Sequence, residues 1–218
     1  MSKKLKQLII TTSAVIGLGV SSLASAELAG NVGATSDYLW RGTTQTNHQA
    51  AISGGVDYSH SIGIYAGTWV SNVSFAGPDT EIDLYAGFAT EVAGLGIDVG
   101  YLQYAYPSEG AATNFAEAYI NLSYSIASFG YFMDFENKTS YMTAGLGYEV
   151  KEGLSIGAVF GQYSFDGGAG DYMHYGVSID KSLSDMDVSF SISATDMESG
   201  LDKNPTATIS FSKDFSMM

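Results

Sequence analysis

From residue 29 onward the chain alternates between stretches of about ten residues rich in Tyr, Phe, Val, Ile and Thr and short stretches of Gly, Asn, Asp, Ser and Pro. No apolar period of 3.6 persists anywhere, so the pattern predicts β-strands from end to end. Strands are expected at 29–40, 51–59, 63–73, 81–91, 96–105, 115–125, 128–135, 140–150, 154–164, 172–181, 186–195 and 205–215. Six of the twelve alternate cleanly. In the fourth, Ile82, Leu84, Ala86 and Phe88 oppose Glu81, Asp83, Tyr85 and Gly87, and in the last, Ala207, Ile209, Phe211 and Phe215 oppose Thr206, Thr208, Ser210, Ser212 and Asp214. The third, fifth and seventh carry aromatic residues on both parities and leave their facing open.

The connections fall into two alternating classes. Short ones are His60-Ser61, Ala93 to Leu95, Ile126-Ala127, Lys151 to Gly153 and Ser182 to Asp185. The others are Gly42 to Ala50, Ser74 to Thr80, Tyr106 to Asn114, Phe165 to Asp171 and Asp196 to Asn204, with a short Glu136 to Thr139 among them. An even number of sequential hairpins with short turns at one end and longer loops at the other is the signature of an up-and-down transmembrane β-barrel, with both termini on the periplasmic side. The fold class expected is therefore all-β, an antiparallel barrel of about 12 strands. Closure is physically required, because an open meander would leave two unpaired edges, which lipid does not tolerate. Aromatic residues near strand ends (Tyr38, Trp40, Tyr58, Tyr104, Tyr106 and Tyr124) are read as interfacial girdles.

The N-terminus changes the picture from β-protein to exported β-protein. Lys3, Lys4 and Lys6 precede an apolar stretch from Leu8 to Leu23 that ends in Ala24-Ser25-Ala26, the layout of a cleaved secretory signal. Residues 1–26 are thus expected to be removed, leaving a barrel of residues 27–218, and the destination expected is the outer membrane of a Gram-negative bacterium. Cysteine is absent, which removes disulfides, thiolate nucleophiles and thiolate metal sites.

Charge sharpens the expectation for the interior. The net charge of −14 becomes −17 without the leader's three lysines, which excludes nucleic acid as a partner. Asp57, Asp83, Asp98, Glu117, Asp134, Glu149, Asp180, Asp187 and Asp214 all fall on the polar parity of their strands and are expected to line a lumen, whereas Lys181 and Lys213 share the apolar parity near periplasmic ends and can snorkel. Arg41, the only arginine, is expected near the outer mouth.

Little else reads as chemistry. Gly153-Leu154-Ser155-Ile156-Gly157 matches the serine-hydrolase elbow in letters, but that elbow joins a strand to a helix and here it opens a strand. His48, His60 and His174 have no metal spacing, and His174 is read as a solitary wetted side chain. The loop Asp166-Gly167-Gly168-Ala169-Gly170-Asp171 could offer oxygens to calcium, though a plain outer loop is the simpler reading. No catalytic residue, metal or cofactor is expected.

The N-terminal half resembles the TorF-like porin family of proteobacteria. The likeness is carried by Ser36-Asp37-Tyr38-Leu39-Trp40-Arg41-Gly42 and continues through Gly55-Val56-Asp57-Tyr58, Gly63-Ile64-Tyr65-Ala66-Gly67, Ser71-Asn72-Val73, Glu81 to Gly87 and Glu117-Ala118-Tyr119. It implies an outer-membrane barrel and a channel with membrane lipid as a partner, while the carboxylates on the polar parity make small cationic or neutral solutes the expected cargo of passive diffusion. Two alternatives stay open: a non-conducting barrel plugged by Tyr and Phe side chains that binds a partner through its loops, and a soluble periplasmic β-protein.

Overall fold

The computed structural model describes residues 26–75, 77–108 and 114–217; the expected leader lies outside them except for Ala26. Twelve strands close into one antiparallel barrel: β1 (Glu27–Thr35), β4 (Ala51–Ser59), β5 (Ile64–Asn72), β6 (Thr80–Val92), β7 (Leu95–Ala105), β8 (Phe115–Tyr124), β9 (Ala127–Asp134), β10 (Thr139–Lys151), β11 (Leu154–Ser164), β12 (Tyr172–Leu183), β13 (Met186–Thr195) and β14 (Thr206–Ser216). Each pairs with its sequence neighbour, and β1 seals the cylinder between β14 and β4, with Thr35 opposite Ser210 on one side and Ala51 on the other. A separate two-stranded hairpin, β2 (Leu39–Trp40) and β3 (Thr43–Thr44), lies apart from the wall. No helix among the described residues is long and apolar enough to cross a membrane.

The turns follow the expected alternation. At the end that carries both termini, two-residue links such as Ala93-Gly94 are closed by left-handed residues at φ 53° and 83°, the geometry that a tight hairpin turn demands. Longer connections gather at the opposite rim, and Asp134 shapes the short one there by accepting the Glu136 and Asn137 backbone N–H at 2.9 and 3.0 Å.

Strand pleating sorts the side chains. Outside, Val56, Leu84, Val99, Leu146, Val177, Phe190 and Ile209 are exposed in an apolar belt; inside, their sequence neighbours are buried or half-buried. The three strands of undecided facing resolve by the same parity: Tyr65 and Trp69 of β5, Leu102 and Tyr104 of β7 and Phe132 of β9 turn inward. A narrow barrel can bury aromatic residues on its inner wall, which is why aromatic content on both parities hid the pattern.

Two expectations need correction here. The first strand ends at Thr35 rather than 40: Ser36 makes the last wall contact, its N–H donating to the Ile209 carbonyl at 2.9 Å and its hydroxyl accepting the Ile209 N–H at 3.0 Å, and the chain then turns into the lumen. The girdle reading holds in facing for Tyr58 and Tyr124, which are exposed outside, but Tyr38, Tyr104 and Tyr106 are buried inside, and Trp40 packs with them.

Candidate functional site

The feature that organises the interior is the loop of residues 36–50, which folds down into the outer part of the barrel. Asp37 holds it together. Its carboxylate accepts the Thr44 hydroxyl at 2.6 Å and faces His48 Nδ1 at 2.7 Å. The Thr46 hydroxyl accepts the Tyr38 N–H at 3.2 Å and donates to the Gln49 carbonyl at 2.5 Å. The loop is tied to its neighbour at the rim by the Thr44 N–H, which donates to Asp202 at 2.8 Å. The side-chain contact with Asp37 makes protonated His48 more favourable, so its pKa lies above the ordinary value. Burial raises that of Asp202. A cleft of about 480 Å³ opens beside this network, lined by Asp37, His48, Leu201 and Thr206.

The inserted hairpin turns on Arg41 and Gly42, both left-handed at φ 51° and 87°. Two successive positive φ values define the tight turn that twisted hairpins prefer. Gly42 is also needed sterically, because a Cβ there would stand 2.6 Å from the His174 Cβ. Arg41 is the strained member, and its contacts explain why the strain is kept. Its guanidinium donates to both carboxylate oxygens of Glu117 at 2.7 and 2.6 Å and lies 4.3 Å from the Trp40 and Tyr141 ring centroids, 5.0 Å from Phe132 and 5.4 Å from Tyr163. A bidentate pair within stacked rings suits guanidinium in particular.

Around this pair the lumen is packed. Tyr38 and Tyr106 donate to the two oxygens of Glu81 at 2.7 and 2.6 Å, Trp40 donates to Tyr104 at 3.3 Å, and Tyr104 donates to Glu117 at 3.3 Å. His174 is fully buried, stacked on Tyr141 and 2.6 Å from its hydroxyl, so the wetted reading of this histidine is overturned: the inserted loop covers it. Asp83, 3 % exposed, has one carboxylate oxygen with no hydrogen-bond partner.

Below the hairpin lies a second polar layer. Asp98 accepts Tyr65 at 2.5 Å and Asn121 at 3.2 Å, while Asp57 accepts Asn31 at 3.2 Å and the Tyr85 hydroxyl. Asp180 accepts the Ser178 hydroxyl at 2.8 Å. Asp187, Asp214 and Glu149 are exposed toward the rim that carries the termini, Glu149 accepting the Gly153 N–H at 3.1 Å. Asp134 stands apart from the rest as the outer-turn cap described above. The structure thus brings Asp83 and Glu117 beneath the hairpin, Asp57 and Asp98 into the middle layer, and spreads the others toward the ends. Sequence reasoning put Glu81 on the inner parity without singling it out. It also treated Ser36, Asp37, Tyr38, Arg41 and Gly42 as a family mark, with Arg41 expected near the outer mouth, rather than as an insertion; the signal was the chain's one arginine directly after the apolar run Tyr38-Leu39-Trp40.

Ser155 of the serine-hydrolase-like pentapeptide sits within β11, opposite Asp180 of β12. In the glycine-rich loop Asp171 accepts the Phe165 N–H at 2.8 Å and Asp166 pairs with Lys138 at 3.2 Å. Among the described residues no group of three or more His, Asp or Glu is arranged to hold a metal.

Known structures share this architecture. The KdgM porin superposes with a TM-score of 0.62 at 9% identity over 86% of this chain and 99% of its own. The NanC porin gives 0.56 at 10%, covering 88% and 100%, and an outer membrane channel from Pseudomonas putida F1 gives 0.54 at 10%, covering 88% and 97%. At such identities the likeness is one of fold. No curated protein matches the chain by sequence. The profile of the Gcw_chp family, described as bacterial protein of unknown function, matches residues 21–215, and the chain belongs to that family.

Proposed function

We propose that this protein is an outer-membrane channel of a Gram-negative bacterium, exported by a leader cleaved after Ala26, that passes small cationic or neutral solutes through a lumen narrowed by its 36–50 loop. The observation that carries the reading is the sorting of the wall: an apolar belt outside and hydrogen-bonded carboxylates inside. Exposed apolar surface on this scale is not sustained in water, and the belt suits lipid, where closed barrels are the β-structures that span. The TorF-like resemblance in the first half of the chain agrees with this reading. The KdgM porin has been solved with an oligogalacturonate; a polyanion of that kind is a poor fit to a lumen whose charges are carboxylates with a single arginine already paired. The reading involves no catalysis.

The test is fractionation followed by electrophysiology. The protein should sediment with outer membranes, shift mobility on boiling as a folded barrel does, and give discrete conductance in a planar bilayer. Recovery in the soluble periplasmic extract would overturn it. The second reading, a plugged barrel, is favoured by the hairpin lodged across the lumen, and a folded barrel that never conducts, with or without that hairpin, would establish it.

A further inference from the structure

We infer that the wall site occupied by Arg41 is a receptor for the guanidinium group of a small organic cation, and that Arg41 is a tethered stand-in which such a solute displaces to release the hairpin. The inference rests on the channel reading for its consequence, though not for the binding itself. The wall alone supplies Glu117 from β8, Phe132 from β9, Tyr141 from β10 and Tyr163 from β11. Trp40, the remaining ring, belongs to the hairpin and leaves with it. What stays behind is a carboxylate presenting both oxygens, with aromatic faces around the position of a planar cation, which is a complete recognition site for guanidinium and a weaker one for a round ammonium.

Two observations mark Arg41 as a replaceable occupant rather than part of the wall. Its backbone is left-handed in the hairpin turn, a conformation that costs a non-glycine residue energy. The site also holds an acceptor that the packing leaves unused: Asp83 lies on the same inner face of β6 as Glu81, and an oxygen of buried Asp83 has no hydrogen-bond partner. A solute with a guanidinium and a further donor group could satisfy Glu117 and Asp83 together. Because the occupant is tethered by an ordered loop, its local concentration is at least on the order of millimolar, so a free solute competes at millimolar concentrations or above.

The experiment uses Trp40 as reporter. In the full-length Trp69→Phe protein, Trp40 is the sole indole, and its contact with the Arg41 guanidinium makes its emission sensitive to displacement. Titration of the folded protein in detergent with ethylguanidinium should shift that emission with half-effect in the millimolar range. Tetramethylammonium or KCl at matched ionic strength should act at least about tenfold more weakly, because neither can donate to both Glu117 oxygens as a planar fork does, and Glu117→Gln should abolish the ethylguanidinium response. Should that variant fail to fold, thermal stabilisation of Arg41→Ala by ethylguanidinium serves instead, since the vacated cage should accept it. No response to ethylguanidinium, an equal response to KCl, or a response that persists in Glu117→Gln would overturn the proposal. In bilayers ethylguanidinium should raise wild-type conductance toward that of Arg41→Ala. A Trp40 shift without current in either protein would leave the receptor standing and sink the channel, whereas current in Arg41→Ala with no Trp40 shift would do the reverse.

Discussion

Arg41 and Glu117 show how much a single contact can decide inside a barrel. Both side chains are almost completely buried, 6 % and 0 % exposed, and neither charge can be left alone there. Replacing one partner, as in Glu117→Gln or Arg41→Ala, is expected to cost on the order of 3–5 kcal/mol, whereas the paired replacement Arg41→Met with Glu117→Leu should cost much less, because the uncompensated charge is the expensive element. Urea unfolding of the three variants in detergent measures the difference, and equal losses in single and paired variants would refute the account. His48 offers a gentler residue-scale lever. Its pKa is raised by Asp37, so its contribution to holding the loop is fully present below the ordinary histidine value of about 6.5 and fades as pH rises through the higher folded-state value. Raised Asp202 acts in the same direction in a more acidic window. Thermal stability should therefore decline from about pH 5 to pH 8, and His48→Gln should flatten that part of the slope.

At the scale of elements, the inner wall depends on tyrosines lying across glycines of the neighbouring strand. Tyr85 of β6 covers Gly67 of β5, and a Cβ at Gly67 would come within 2.5 Å of the ring and 2.6 Å of the Asp57 carboxylate. The ring can reach Asp57 only because that space is empty, so the glycine, the tyrosine and the carboxylate form one unit. Gly67→Ala is expected to destabilise the barrel by about 1–3 kcal/mol through overpacking. Ala66→Val, one position away on the outer face, should change stability by no more than about 0.5 kcal/mol. Equal effects at the two positions in a denaturant series would show that the tyrosine–glycine contact does not set the cost.

For the whole molecule, the decisive quantity is the charge on the conducting path. The hairpin neutralises Glu117 locally, while Asp57 and Asp98 in the middle layer are held by Tyr and Asn side chains. Fixed carboxylates in a confined lumen concentrate cations, so current through the open barrel should be cation-selective at low salt. Selectivity should weaken as the Debye length falls from about 10 Å at 0.1 M to about 3 Å at 1 M. Asp57→Asn with Asp98→Asn should move the reversal potential under a KCl gradient toward zero. Anion selectivity in the unaltered protein, or no change in the double variant, would place those carboxylates off the path.

The alternation of Ile82, Leu84 and Ala86 with Glu81, Asp83 and Tyr85, together with turn spacing, was enough by itself to determine the number of wall strands and the barrel class, because a pleated strand has a period of two that sequence records directly. Strand parity says nothing about what fills the space the barrel encloses. That Ser36 ends the wall, that Tyr38 and Tyr104 point inward rather than girdle the outside, that His174 is covered, and that Arg41 reaches Glu117 across 76 positions of sequence were decided by closure. Only when β1 meets both β14 and β4 does an enclosed volume exist, and burying polar groups within it forces each to find a partner from a distant strand or from the inserted loop.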